Sequence, residues 1–190
     1  MAWIEIVDEA RAEGHLKEEY DAARRRAGKV LNILKVQSLR PRCISGFLEM
    51  YRAAFHGECA LPEAEREMIG VVVSRANRAH YSLEVHTGFL ADLLGDRALA
   101  VRVREDYRSA GLPARRLAIL CYAEKLTRDP GGMEEADILA LRAQGLGDPE
   151  ILDVVELVSL FNFANRVVSA LHADPEEGTA PYPRQGEVGA

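Results

Sequence analysis

The sequence predicts an all-α, single-domain protein, and three observations carry that prediction. No run alternates apolar and polar residues as a half-buried strand does, while Ala, Leu, Arg and Glu are abundant. Apolar residues recur at helical spacing, as in Ile69, Val72, Val73 and Ala76. Gly and Pro cut these stretches into ordinary helix lengths, and no linker is long enough to separate two independent units.

Composition narrows the function. A chain of 190 residues, 48% of them hydrophobic, can bury most of its apolar surface in one core. Lys and Arg number 24 against 30 Asp and Glu, a net charge of −6, so no basic face is available for general nucleic-acid binding. Three cysteines, far apart, do not make a disulfide scaffold. The opening MAWIEIVDEA has neither a basic n-region nor a long apolar stretch, so no signal peptide is expected and a cytoplasmic location is. No membrane partner is expected either.

Residues 16–35 read as one or two helices broken at Gly28. Arg40-Pro41 starts the next, with Ile44, Phe47, Leu48, Tyr51 and Phe55 on one face and Gly57 as its end. Leu61-Pro62 opens a helix that Asn77 interrupts, and Asn77 is expected to cap a following helix from about Arg78 to Leu94, closed by Gly95. Gly111-Leu112-Pro113 precedes the helix ARRLAILCYAEKLT, and Asp129-Pro130-Gly131-Gly132 breaks it. Residues 133–144 form a short amphipathic helix. Asp148 as N-cap and Pro149 in the first turn open a helix over 149–172. It is apolar on nearly every side between Val154 and Phe163, which places it in the core or between subunits; Glu156, Asn162, Asn165 and Arg166 exclude a membrane span. The helical domain covers 1–173, and 174–190, rich in Gly, Pro and charge, is an arm or loose tail.

The chemistry concentrates in 61–94, LPEAEREMIGVVVSRANRAHYSLEVHTGFLADLL. Glu67 lies ten residues before Asn77 and His86 nine after it, so an antiparallel helix pair brings them to one level. Ser82 and His86 share a face four residues apart, and His80 and Tyr81 lie in the first turn. A carboxylate facing an imidazole is half of an acid–base relay; the same pair also describes a core histidine satisfied by Glu67 or by a backbone carbonyl.

This window resembles the alkylhydroperoxidase D and carboxymuconolactone decarboxylase family, in its uncharacterised peroxidase-related branch. In that pattern a Glu lies twelve residues before the first Cys of a Cys-x-x-Cys pair and a His four after the second. Glu67, VVVSRAN at 71–77, Tyr81, His86 and Gly88 fit, and LNILKVQSLRP and FNFANRV also resemble the branch. Tyr81 stands where the best-known peroxidase members carry another His. The resemblance implies an alkylhydroperoxidase D-like helical fold, a homo-oligomer, an antioxidant oxidoreductase assignment and a small-molecule substrate.

Both cysteine positions of the pattern are occupied otherwise. Ala79 stands at the first and Ser82 at the second. A serine hydroxyl forms no sulfenic acid and an alanine offers no side-chain chemistry, so dithiol peroxidase activity is expected to be absent or weak. Of the remaining thiols, Cys43 sits at a helix start, Cys59 in the polar turn HGECALP, and Cys121 beside Leu117 on an apolar face, where an inert core role is expected. Three readings stay open. Ser82, His86 and Glu67 have the types of nucleophile, base and orienter, although a hydroxyl inside a helix is poorly presented and no nucleophile elbow exists. The decarboxylase side of the family implies a cysteine-independent acid–base enzyme using His86 and Glu67. A binding or structural homologue is the third.

Neither cofactor nor metal is expected. His80 and His86 are six residues apart, on different faces, and His56, Glu84 or His172 join them only through tertiary placement. His15 belongs to a polar terminal segment. Arg24-Arg25-Arg26 follows Glu18, Glu19 and Asp21 and reads as a solvated helix face rather than an anion site.

Overall fold

Every described element is helical, as the periodicity requires. The structure, a computed structural model, describes residues 2–56 and 59–176, with His56 described by its backbone alone. The helices are α1 (Gly14–Ala27), α2 (Asn32–Lys35), α3 (Pro41–His56), α4 (Glu63–Ala76), α5 (His80–Leu94), α6 (Arg97–Asp106), α7 (Ala114–Arg128), α8 (Glu135–Arg142) and α9 (Asp148–Leu171). The expected end at Gly57 and residues 177–190 lie outside the described residues. No described helix is long and apolar enough to cross a membrane.

Two helices form the axis of the molecule. In α4, Met68, Ile69, Val71, Val72 and Val73 are all buried, because the helix is covered by α5, α6, α7 and α9 together. The second, α9, touches α2, α3, α4, α5 and α7, which accounts for its apolar character on most sides. Leu152 and Phe163 mark its exposed edge.

The apolar interior is divided into two clusters. One is built on α4 with α5 to α9 and includes Phe55 and Phe161. The other joins α1, α2 and α3 to Tyr81 of α5 and to Leu160, Ala164 and Val168 of α9. Tyr51 and Ala54 of α3 pack against both.

Three boundaries differ in detail from the sequence expectation. Asn77 does not cap α5. It stays right-handed and ends α4, its N–H reaching Val73 O at 3.0 Å, while its side-chain amide donates to Asn162 Oδ1 at 2.9 Å. The chain reverses at Arg78, with φ 56°, so Ala79 occupies the N-cap position of α5 and brings no side-chain acceptor to it. At α9 the N-cap is Gly147 rather than Asp148, and the Glu150 carboxylate accepts the Gly147 N–H at 2.8 Å. Gly28 and Gly95 close α1 and α5 in the left-handed conformation expected of them.

Candidate acid–base site

The three-residue connection between α4 and α5 makes them an antiparallel pair and sets Glu67 opposite His86. His86 Nδ1 lies 2.8 Å from Glu67 Oε2. Glu67 is 3% exposed, and a carboxylate so placed needs a donor. An ionised carboxylate can only accept, so the ring proton that faces Glu67 is on Nδ1, and Nε2 is the nitrogen turned away from it. The ring is fixed from other sides as well. Phe161 meets it edge-on, with centroids 4.7 Å apart and planes at 89°, and Phe89 does so at 5.9 Å.

Phe161 can reach this position because of Gly70. A Cβ at residue 70 would lie 2.5 Å from Phe161 Cζ, so the bare backbone of α4 forms the seat of the ring. Gly70 is one turn beyond Glu67, and the same stretch of helix therefore supplies both the carboxylate and the seat.

His86 lines a cavity of about 570 Å³, the size of small-molecule sites in general. It opens along the seam between the two apolar clusters. Phe47, Tyr51 and Phe55 of α3 enter from one side, Ser82 and Val85 of α5 and Leu160 and Phe161 of α9 from the others. Tyr51 and Phe55 stack in parallel at 5.1 Å. Burial and then the charge of Glu67 push the Tyr51 phenol well above its ordinary value, with Arg26 pulling the other way. Tyr51, Phe89 and Phe161 escape a reading confined to 61–94 and to charged types; an aromatic at helical spacing gives no sign that its ring walls a cavity.

The sequence-derived candidates are placed as follows. Glu67, Tyr81, Ser82 and His86 all border the cavity. Ala79 is buried at 1% exposure, behind the lining. Ser82 is buried at 3%, and no hydrogen bond joins its hydroxyl to His86 among the described residues. Tyr81 donates to Glu176 Oε1 at 2.7 Å, and burial with that carboxylate pushes its phenol far up. His80 points elsewhere, 69% exposed and 3.7 Å from Glu84. No group of three potential metal ligands gathers among the described residues.

None of the three thiols borders the cavity. Cys43 is exposed, and Cys59 is half-buried with its thiol pushed up by burial. Cys121 is exposed rather than in the core, its sulfur 3.6 Å from the Tyr107 hydroxyl, which donates its proton to Glu124 Oε2 at 2.8 Å. The buried stripe of α7 runs through Ile119, Leu120, Ala123 and Thr127, which turns residue 121 outward.

No family model and no curated protein matches the chain. Among solved structures, an uncharacterized peroxidase-related protein from Silicibacter sp. TM1040 is 33% identical, covering 95% of this chain and 94% of its own, with a TM-score of 0.82. The chain belongs to the alkylhydroperoxidase D-like, peroxidase-related family. A second family structure, an alkylhydroperoxidase AhpD core from Ralstonia eutropha JMP134, also an uncharacterized peroxidase-related protein, is 25% identical over 95% of this chain and 97% of that one, with a TM-score of 0.85. The debrominase Bmp8, in complex with 2,3,4-tribromopyrrole, shares the fold at 15% identity, 92% coverage of both chains and a TM-score of 0.76. The family fold is therefore this chain's fold.

Proposed function

We propose that this family member works without thiols, as an acid–base site in which His86, held by Glu67, moves a proton on a small apolar substrate in the cavity. The observation that carries the reading is the 2.8 Å Glu67–His86 contact on the wall of a cavity that no cysteine borders. Nδ1–H on Glu67 leaves Nε2 to take a proton from carbon or oxygen of the substrate. The imidazolium that results is stabilised by the buried carboxylate and returns the proton later in the cycle. The aromatic walls exclude water, which strengthens that stabilisation. Ser82 is a small lining residue in this reading and not a nucleophile.

Dithiol peroxidase turnover is absent on this reading. With an organic hydroperoxide and dithiothreitol, the native chain is expected to turn over no faster than a variant with Cys43, Cys59 and Cys121 all changed to Ser. Robust native turnover that the triple variant loses would overturn the thiol-free reading. The Ala79→Cys/Ser82→Cys variant is expected to gain peroxidase activity, and adding His86→Ala to be about 100-fold slower. Proton transfer itself is read by NMR, as solvent deuterium entering a panel of lactone acids and β-keto acids. His86→Ala should abolish any exchange the native chain catalyses. Exchange unchanged by that substitution would remove His86 from the chemistry.

A further inference from the structure

We propose that Ser82 is the hydrogen-bond donor of the site, and that the substrate is an apolar carbonyl compound whose oxygen Ser82 holds while His86 removes a proton from the adjacent carbon. This deepens the acid–base reading and rests on it for the part His86 plays.

The observation is a buried hydroxyl that the protein itself leaves unpaired. Ser82 is 3% exposed and borders the cavity, and its Oγ takes part in no hydrogen bond to a described residue. Buried hydroxyls are ordinarily paired. A serine or threonine inside a helix can turn its hydroxyl back to the carbonyl four residues earlier, and Thr87 of α5 does so with Leu83 O at 2.6 Å. Ser82 is the third residue of α5, so the carbonyl four residues back is that of Arg78, which stands outside the helix where the chain reverses with φ 56°. The backbone therefore withholds the usual acceptor. Ser74, buried on α4, does find one in Asn165 Oδ1 at 3.3 Å. Nor is the Ser82 hydroxyl sealed in. The unpaired side-chain atoms closed off from contact are, among the described residues, Glu65 Oε2 and Asn165 Nδ2. Ser82 Oγ opens on the cavity instead.

The surroundings suit this donor to an oxygen that gains charge. Ala79, the N-cap of α5, brings no side-chain acceptor, and the first turn carries no acidic residue, so the helix does not neutralise its own positive end beside Ser82. His86 is one turn further along the same face, with about 5–6 Å between the Cβ atoms, and borders the same cavity. Phe55, Val85, Leu160 and Phe161 make the walls around both groups apolar, and a donor aimed at developing charge is worth more there than in water. A carbonyl compound uses every part of this arrangement. His86 Nε2 bonds to the proton as the C–H bond breaks. The electron pair moves into a C=C bond to the former carbonyl carbon, and the oxygen takes up the negative charge as an enolate, held by the Ser82 O–H. Return of the proton from the imidazolium to carbon restores the carbonyl, so no oxidant or second reactant is consumed.

The probe is 2-tetralone, an aryl-fused ketone with an acidic C–H beside its carbonyl. Deuterium entry followed by NMR gives kcat and KM, and the infrared stretch of the isotope-labelled carbonyl reports the hydrogen bond in the bound ketone. In Ser82→Ala, kcat is expected to fall about 100-fold and KM to rise no more than about fivefold. The bound carbonyl should lose the shift to lower frequency that the native chain imposes. The melting temperature should not fall, because a hydroxyl without a partner holds nothing together. His86-dependent exchange that Ser82→Ala leaves within about threefold of native, a carbonyl stretch equal in the two chains, a lower melting temperature or no binding of the ketone would overturn the proposal. The acid–base reading fails separately. A Ser82-dependent carbonyl shift without His86-dependent exchange would sink that reading alone, and exchange that needs His86 but ignores Ser82 would sink this one alone.

Discussion

At the scale of single residues, the site depends on one absent methyl group. Replacing Gly70 by Ala favours an α-helix interior by about 0.5–1 kcal/mol. Here the new Cβ would meet the Phe161 ring at 2.5 Å, so the ring would have to leave its seat and give up its edge-on contact with His86. Overpacking of this kind costs about 1–3 kcal/mol, which exceeds the propensity gain. Gly70→Ala is therefore expected to lower stability in urea, and Gly70→Ala/Phe161→Leu to recover part of the loss. If Gly70→Ala alone stabilises the chain, the seat is not under compression. None of this is legible at residue 70, because its partner is 91 residues away in the sequence. The Glu67–His86 level was legible, since it needs only a short connection and the helical rise.

At the scale of elements, charges fasten the helices to each other. Glu84 on α5 is 2% exposed, and Arg104 on α6 reaches it at 2.5 Å. Removing the cation alone takes its closest partner from a buried carboxylate, so Arg104→Met is expected to cost about 3 kcal/mol, whereas replacing both charges together costs much less. A double-mutant cycle in urea checks this. At the start of α9, the Gly147 N–H and then Arg115 hold the Glu150 carboxylate below its ordinary value of 4.5. A depressed carboxylate contributes stability above its unfolded pKa and loses it as the pH falls through the folded one. Glu150→Gln should thus lower the melting temperature at pH 7 by the equivalent of about 1 kcal/mol, and the difference from native should close below about pH 4.5. A gap that persists in acid would assign the effect to packing. The helix starts at Leu61-Pro62 and at Pro149 were legible from Pro. The error at Asn77 has a plain cause: a residue suited to capping can also end the preceding helix, and its amide found a partner on α9.

At the scale of the whole molecule, the cavity exists because two apolar clusters meet without merging. The end of the described chain helps hold the smaller cluster closed. Glu176 accepts from Tyr81 at 2.7 Å and from the Asn32 N–H at 2.8 Å, while Asn32 Nδ2 donates to Asp174 O. Of the segment expected to be an arm or a loose tail, residues 174–176 are therefore docked. Hydrogen bonds to a charged group contribute about 1.5–3 kcal/mol, so Glu176→Ala should cost stability of that order and speed amide exchange in α2. Unchanged exchange there would show that the docking does not brace the cavity wall.

The all-helical class, the positions of most breaks and the presence of Ala and Ser rather than Cys at 79 and 82 were determined by the sequence alone, because periodicity, Gly and Pro, and side-chain chemistry are local properties. Only the tertiary structure decided that Cys121 faces outward, that Arg26 stands at a cavity mouth, and that Tyr51 and Phe161 wall the space in front of His86. Those facts depend on which faces of distant helices meet, and helical periodicity gives a residue's face without naming what packs against it.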